Sequence, residues 1–322
     1  MKSVDLKMPE IDIRDAFFDE LYNIAKNDSQ VILLTADMGA HSLVKFKQDI
    51  PKQYFNVGIA EQSMVSIAAG LALRGKKVFI YTIIPFATLR CYEQIKIDLC
   101  CMNLPVTIVG VGPGLTYGSD GPTHHATQDI AIMRVLPELT ILNPSDPVVA
   151  KASVNIAYKN NGPTYVRIDK GKLPSIYNEK KNDFSDGLAV LSKGEDLTII
   201  TSGIMVYRAQ EVAKLLSDNS ISAGIIDLYR LKPINKNMLL EIIDNSKRIV
   251  TLEENSIVAG IGSIISEVLN DSQRRIPLKR IAILDEHCFK CGTREFLQGV
   301  YNLDSQSIVK NILKWIKQIK ER

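Results

Sequence analysis

Short apolar runs alternate with amphipathic segments along most of the chain. Continuous runs such as Val31–Thr35, Val106–Val109 and Thr164–Ile168 are typical of parallel strands that are covered on both faces. Between such runs the spacing of apolar residues predicts helices, for example over Arg14–Ala25 and Asp146–Tyr158. This alternation predicts an α/β fold with mainly parallel sheets.

The alternation is interrupted after about residue 170 by a polar segment that includes the charged run Lys180–Asp183, which indicates a linker. A second series of apolar strands and helices begins at Asp196. We therefore predict two open, mainly parallel-sheet α/β domains, with the following boundaries: 1–175 for the first domain, 176–194 for the linker and 195–322 for the second domain.

One apolar helix stands out in the first domain. The residues from Ser63 to Leu73 are almost all small or apolar, and Gly75 follows them, so the pattern predicts a well-buried helix that ends at this glycine. Glu61 lies in its first turn, where the helix dipole favours a carboxylate, so this position alone needs no functional explanation. A further helix is predicted from about Phe86 to Met102.

Composition and charge narrow the possible functions. The 322 residues suffice for two domains of ordinary size, and 46% apolar with 23% charged residues is typical of a globular protein. The formal charge of +3 is too small for this length to indicate nucleic-acid binding. No apolar run is long enough to span a membrane, and the segment Met1–Lys7 does not resemble a signal peptide, so we expect a cytoplasmic protein.

The five cysteines do not indicate a disulfide framework, because their number is odd and no export signal is recognised. Cys288 and Cys291 have CxxC spacing and His287 adjoins them. A single CxxC without a second ligand pair is weak evidence for zinc. Two free thiols in a turn are the favoured interpretation, and no metal ligand is predicted in this chain.

Chemically active side chains are concentrated where the predicted parallel strands end, which is where ligands bind in open α/β sheets. The segment Gly118–His125 holds three of them within six positions, in the pattern Asp-x-x-x-His-His. A rigid turn needs the glycines and the proline of this segment but not its ionisable residues, so a functional role is favoured. A metal site at His124 and His125 is weakly supported, because adjacent residues rarely ligate one ion.

Four segments of the chain, taken together, resemble the C-terminal half of transketolase and its thiamine-diphosphate relatives. They are Gly58–Gln62, Phe86–Gln94, Asp120–His125 and, for the start of the second domain, Val250–Asn255 with Gly260–Ser263. The resemblance covers nearly the whole chain. It implies a pyrimidine-binding domain followed by the C-terminal domain of this family.

The resemblance also implies roles for individual residues. Glu61 is expected to hydrogen-bond the aminopyrimidine of the cofactor and promote its tautomerisation, a role that benefits from shielding from water. Phe86 is expected to stack on that ring. His124 is expected to contact substrate and assist proton transfer. The remaining candidates are Asp37 and Ile83 for the cofactor and Asp120, Arg90, Arg167 and His41 for the substrate.

The chain contains no Gly-Asp-Gly segment, which family members use to hold the diphosphate and Mg²⁺. The resemblance therefore implies one subunit of a split transketolase, inactive alone, whose N-terminal partner subunit supplies the diphosphate-binding domain and the Mg²⁺ ligands. Dimers of such heterodimers are expected. Two positions depart from the family pattern: Ile83 replaces an aromatic residue, and Gly112 lies where transketolases carry His and deoxyxylulose-phosphate synthases carry Arg.

The leading hypothesis is transfer of a two-carbon ketol unit between sugars or sugar phosphates. A decarboxylating condensation like that of deoxyxylulose-phosphate synthase is an alternative, because the Asp120–His125 loop is common to both enzymes. A 2-oxoacid dehydrogenase β-type subunit shares the Ile-Ala-Glu-Gln segment, but the Asp120–His125 loop argues against it. A non-catalytic assembly subunit is also possible, although retention of Glu61, Phe86, Asp120 and His124 argues against decay.

Overall fold

The computed structural model describes residues 10–178 and 184–320. It divides into two compact units, Met1–Val111 with Asp146–Ser185 and Gly112–Ser145 with Asp186–Arg322. Among the described residues, no helix combines the length and apolar character that crossing a membrane requires.

The strands are β1 (Ile11–Asp12), β2 (Val31–Thr35), β3 (Tyr54–Asn56), β4 (Lys77–Ile83), β5 (Val106–Val111), β6 (Thr140–Leu142), β7 (Thr164–Ile168), β8 (Lys172–Leu173), β9 (Ala189–Ser192), β10 (Leu197–Thr201), β11 (Ala223–Asp227), β12 (Arg230–Lys232), β13 (Ile249–Ser256) and β14 (Leu278–Ile283). The helices are α1 (Ile13–Asn27), α2 (Leu43–Asp49), α3 (Glu61–Leu73), α4 (Ile84–Ala87), α5 (Tyr92–Gln94), α6 (Asp129–Arg134), α7 (Pro147–Lys159), α8 (Met205–Ser217), α9 (Lys236–Ile243), α10 (Ile261–Asp271), α11 (Arg294–Val300) and α12 (Ser305–Lys320). A 3₁₀ turn (Pro51–Gln53) precedes β3, and a π-helix (Ile95–Cys101) follows α5.

The first unit is built on parallel strands in the order β3-β2-β4-β5-β7. All residues of β2, β5 and β7 are buried, which is why these strands are continuous apolar runs in the sequence. Helices α1 and α7 pack on each other. Since the strands are parallel, the loops that follow β2, β3 and β4 leave the sheet at the same edge.

Helix α3, predicted to be well buried, has one buried face and one exposed face. Its end is as predicted, with the amide of Gly75 bonded to the carbonyl of Ala72 at 2.9 Å. Its exposed positions recur at helical spacing and include Ile67 and Leu73, whose side chains are 44% and 59% exposed. The helix is therefore buried on one face, against the core of this unit, and exposed on the other.

The predicted helix from Phe86 to Met102 is also wrong in its middle. Helix α4 ends at Ala87, because Thr88 leaves the helical region with φ −124° and ψ −74°. Its hydroxyl donates to the carbonyl of Ile84 at 2.7 Å. The helical path resumes at Tyr92 and becomes the π-helix, so a non-helical segment containing Arg90 lies between the two pieces.

The second unit contains a five-stranded sheet in the order β14-β13-β10-β11-β9. Only β9 runs antiparallel to its neighbour, and the other pairings are parallel. Helices α8 and α12 pack on each other and bury their apolar faces in a core formed with these strands. Strands β6 and β12, which also belong to this unit, pair antiparallel with each other.

The predicted fold class, two α/β domains with mainly parallel sheets, is confirmed. Strand β9 shows that residues 189–192 of the predicted linker belong to the second sheet. The charged run Lys180–Asp183 of that linker and the segment Met1–Lys7 lie outside the described residues. The exact domain boundaries stay a prediction.

Candidate functional site

Glu61 is the first residue of α3 and lies at the edge of the first sheet where the loops leave the parallel strands. The amide of Val57 donates to the carbonyl of Thr35 at 2.9 Å, which extends the pairing of β3 with β2 by one residue. Gly58 then turns the chain with φ +76°, a conformation that glycine adopts without strain. The turn carries the chain into α3 and leaves the Glu61 side chain only 3% exposed.

Arg90 contacts both the Glu61 carboxylate and the Phe86 ring. Nη1 of Arg90 donates to Oε1 of Glu61 at 2.9 Å. The guanidinium carbon of Arg90 also lies 3.9 Å from the centre of the Phe86 ring. The structure therefore brings together three predicted site residues and assigns Arg90 a place beside Glu61 and Phe86, in a cluster with an aromatic face and a shielded carboxylate.

The backbone around Arg90 is anchored on both sides. Its amide donates to the carbonyl of Pro85 at 3.2 Å, and its carbonyl accepts from Nε2 of Gln62 at 3.1 Å. Burial, together with the nearby Glu61 carboxylate, raises the pKa of the Cys91 thiol to about 12. Cys91 therefore stays a neutral thiol next to the cluster at physiological pH, a neighbour that sequence reasoning missed.

Asp37 is linked to the turn before Glu61 through Asn56. The amide of Asp37 donates to Oδ1 of Asn56 at 3.0 Å, and Nδ2 of Asn56 donates to Oδ1 of Asp37 at 3.2 Å. Oδ1 of Asn56 also accepts from the amide of Gly58 at 3.0 Å. Asn56 thus couples the loops after β2 and β3, and no pattern in the sequence singled it out.

The other predicted residues of the first unit occupy different environments. Ile83 is the half-buried last residue of β4, directly before the short helix that carries Phe86. His41 is exposed in the turn before α2. Arg167 is buried in β7 opposite Gly110. Cofactor or substrate contacts by these three residues stay predictions.

The second unit contains the loop that carries Asp120 and His124. Gly114 and Ala126 pair with each other at 3.0 and 2.9 Å, which closes the loop at its base. Gly121 has φ +74°, and its carbonyl accepts from the amides of His124 at 3.0 Å and His125 at 3.2 Å. The glycines therefore form the rigid turn that the sequence predicted.

His124 and His125 have different surroundings within this loop. The Nδ1 atom of His124 lies 2.9 Å from the hydroxyl of Thr123, and its ring centre lies 6.0 Å from that of Tyr117. His125 is buried, and neither of its ring nitrogens has a hydrogen-bond partner among the described residues. Burial lowers the pKa of His125, so this imidazole is neutral at physiological pH. Asp120 is exposed.

Tyr117 fills the space beside Gly112. A Cβ atom built on Gly112 would lie 2.1 Å from Cε2 of Tyr117, and the φ of Gly112 is +88°. No side chain at position 112 is compatible with this ring position. The space beside Gly112 is thus occupied by an aromatic ring, which lies close to His124.

A buried ion pair holds the start of this loop. Glu254 in β13 accepts from Nε of Arg294 at 3.0 Å, from Nε2 of Gln298 at 2.6 Å and from the amide of Leu115 at 3.2 Å. Burial alone would raise the pKa of Glu254, but the Arg294 guanidinium and these hydrogen bonds outweigh it and hold the pKa below its usual value. Arg294 and Gln298, one helical turn apart on α11, were not predicted to belong to the site.

The neighbouring carboxylate Glu253 has a separate role. Its two oxygens accept from the amides of Ile261 at 2.7 Å and Gly262 at 2.8 Å, at the N-terminus of α10. A Cβ on Gly260 would lie 2.1 Å from Oε2 of Glu253. This close approach explains why a glycine precedes α10. Gly260, which is part of the segment that resembles the family, therefore has a structural role.

All five cysteines are free thiols. Cys288 is buried and Cys291 is exposed. Across residues 10–178 and 184–320, no three His, Cys, Asp or Glu side chains are grouped so that they could hold a metal ion. The CxxC segment lies close to the Asp120 loop, since the amide of Gly292 donates to the carbonyl of Gly118 at 3.1 Å.

Comparison with protein families gives two adjacent matches. The family described as "Transketolase, pyrimidine binding domain" matches residues 9–175, and "Transketolase, C-terminal domain" matches residues 187–308. Together the two matches span most of the chain.

Several similar proteins are parts of split enzymes. The chain is 35% identical over 307 residues to one of the subunits of apulose-4-phosphate transketolase from Phocaeicola vulgatus, covering 95% of this chain and 97% of the relative. It is 32% identical over 310 residues to 6-deoxy-6-sulfo-D-fructose transketolase subunit SqwH of Clostridium sp., covering 95% of each. A solved structure described as a split gene transketolase, inactive beta4 tetramer, has a TM-score of 0.86 and 33% identity, covering 94% of this chain and 98% of that one.

Proposed function

Because this chain belongs to the transketolase family, we propose that it is the C-terminal subunit of a heteromeric transketolase that transfers a two-carbon ketol unit between sugars or sugar phosphates. The observation that carries the proposal is the cluster of Glu61, Phe86 and Arg90. The family expected from the sequence motifs is confirmed. The substrates and the partner subunit of this chain are proposed.

The cluster fits the aminopyrimidine of thiamine diphosphate. Glu61 is shielded from water and accepts a hydrogen bond from the guanidinium of Arg90. This guanidinium is flat, carries N–H donors and lies over the Phe86 ring. A flat nitrogen ring needs the same two features, a buried carboxyl group and an aromatic face. When bound, thiamine diphosphate supplies the electron sink for breaking and forming a carbon–carbon bond next to a carbonyl.

The residues of this chain then have distinct tasks in the proposal. Glu61 hydrogen-bonds a ring nitrogen and holds or releases a proton there, in a place from which bulk water is excluded. Phe86 fixes the plane of the ring. His124, oriented by the Thr123 hydroxyl, contacts substrate hydroxyls and moves a proton, and Asp120 binds a further hydroxyl. The remaining proposed contacts rest on the family resemblance and are Asp37, Ile83, His41 and Arg167.

An exposed apolar face in the first unit supports the proposal of a partner subunit. Ile67 and Leu73 of α3 and Ile97 and Met102 near the π-helix are each between 44% and 59% exposed. The hydroxyl of Ser66 donates to Asp98 at 2.7 Å and connects the two helices. Exposed apolar side chains on neighbouring helices are typical of protein–protein interfaces.

We propose that the partner is an N-terminal transketolase-like subunit with the diphosphate-binding domain, that it carries the Mg²⁺ ligands, and that two such heterodimers associate. The similarity to subunits of split transketolases supports a partner of this kind. The cytoplasm is the proposed location, and five free thiols agree with a reducing compartment.

Replacement of Glu61 by Gln tests the proposed function. The assembled complex is prepared by co-expression with the polypeptide encoded next to this chain and assayed with a panel of ketose donors and aldose acceptors. Glu61→Gln keeps the shape but removes the acidic proton, so ketol transfer should fall by at least about 100-fold. Glu195→Gln removes an exposed carboxylate of the second unit and should leave the rate unchanged. Full activity of Glu61→Gln would contradict the proposal.

A further inference from the structure

Arg90 makes both contacts that the proposed function assigns to the aminopyrimidine. Its Nη1 donates to Glu61 at 2.9 Å, and its guanidinium lies 3.9 Å from the centre of the Phe86 ring. A guanidinium is flat, carries N–H donors and stacks on aromatic faces, so it matches an aminopyrimidine in shape and in hydrogen-bonding capacity. Resting on the proposed function, we propose that Arg90 is an internal stand-in that closes the aminopyrimidine site until the cofactor displaces it.

The burial of Glu61 explains why a stand-in is useful. A carboxylate that is 3% exposed would be costly without a partner, and Arg90 provides a charge-assisted hydrogen bond to it. The Phe86 ring, which is half-buried, is covered by the same guanidinium. One side chain thereby contacts both the buried carboxylate and the aromatic ring.

The geometry also allows Arg90 to leave. Its side chain is 43% exposed, and at such exposure an ion pair and a cation–π contact are weak enough to exchange with solvent. Its backbone is held by Pro85 and Gln62, so the displacement needs only a side-chain rotation. Because the helix is broken at Thr88, Arg90 lies in a non-helical segment between α4 and α5. A displaced guanidinium is then available to a substrate anion.

The stand-in predicts that the cofactor binds more tightly when Arg90 is removed. The apparent dissociation constant equals the intrinsic one divided by the fraction of open sites, so a site that is closed most of the time weakens binding accordingly. Calorimetric titration of the assembled complex with thiamine diphosphate at saturating Mg²⁺ measures this constant. We expect the dissociation constant of Arg90→Met to be about 10-fold lower than that of the unmodified complex.

Two further variants make the result specific. Arg90→Lys keeps the charge but loses the planar fork, so it should bind the cofactor with an intermediate constant. Arg74→Met removes an exposed arginine at the end of α3 and should bind like the unmodified complex. Unchanged or weaker binding by Arg90→Met, with normal binding by the unmodified complex, would overturn the stand-in but not the proposed function. Absence of binding in the unmodified complex would overturn both.

Discussion

Replacing Arg294 by Met should strongly destabilise the chain, because it leaves a buried carboxylate without its cation. Arg294 contributes several of the hydrogen bonds to Glu254, and its own side chain is only 12% exposed. Met keeps much of the apolar volume of the arginine stem, so the main loss is the charge and its donors. After the replacement, Glu254 would keep, among the described residues, the donors from Gln298 and Leu115.

The expected magnitude follows from the burial of both partners. Breaking a buried ion pair by removing one member costs about 3–5 kcal/mol. For a folding unit of this size, about 1 kcal/mol lowers the melting temperature by roughly 2–4 °C, so Arg294→Met should melt roughly 6–20 °C lower. A surface pair gives the comparison: Arg274 lies 2.8 Å from Asp244 with both side chains 47% exposed, and such pairs are worth about 0–1 kcal/mol.

Thermal unfolding of the chain followed by circular dichroism measures these differences, with Arg274→Met as the matched control. A double variant, Glu254→Gln with Arg294→Met, removes the buried charge as well but keeps an acceptor for Leu115, so it should regain much of the lost stability. The reasoning is refuted if Arg294→Met melts within about 2 °C of the Arg274→Met control.

The same pair predicts acid sensitivity. Because the pKa of Glu254 is lowered in the folded chain, its contribution is fully present above the unfolded value of about 4.3 and is lost as the pH falls through the folded value. The melting temperature should therefore fall more steeply below about pH 4.5 in the unmodified chain than in the Glu254→Gln, Arg294→Met double variant. Equal slopes in the two proteins would show that Glu254 does not contribute.

Two further replacements or reactions test local geometry. Gly112→Ala would place a Cβ 2.1 Å from the Tyr117 ring at φ +88°, so it should lower the free energy of unfolding by about 2 kcal/mol. Gly299→Ala is the control, because a Cβ at that position meets no atom within 4 Å and should not destabilise the chain. Equal melting temperatures of the two variants would contradict this prediction. Since the pKa of Cys91 is about 12, iodoacetamide at pH 8 should label the exposed Cys101 well before Cys91, which peptide mass spectrometry detects; equal labelling rates would count against the burial of Cys91.

The sequence predicted the strands that are buried on both faces of the sheet. Strands β2, β5 and β7 are buried throughout, so an apolar run sufficed to identify them. Strand β3 lies at the edge of its parallel set and its Phe55 is half exposed, so its three residues gave no strand pattern. The break at Thr88 depends on a hydroxyl bonding back to Ile84, which apolar spacing does not reveal.

The site was predicted in its residue types but not in its pairings. Motif resemblance singled out Glu61, Phe86 and Arg90, yet the contact between Glu61 and Arg90 depends on the helix break between the two segments. The pair of Glu254 with Arg294 joins residues that are 40 positions apart and needs α11, which was missed. Two adjacent carboxylates at the end of a strand-like run were the available signal for this network.

The central claim is that this chain forms half of a thiamine-diphosphate site and needs a partner to complete it. Calorimetric titration with thiamine diphosphate and Mg²⁺, on the chain alone and on its mixture with the neighbouring gene product, tests the claim directly. We predict tight binding in the mixture and none by the chain alone. Tight binding by the chain alone would contradict the need for a partner, and absence of binding in both would contradict the assignment of the site.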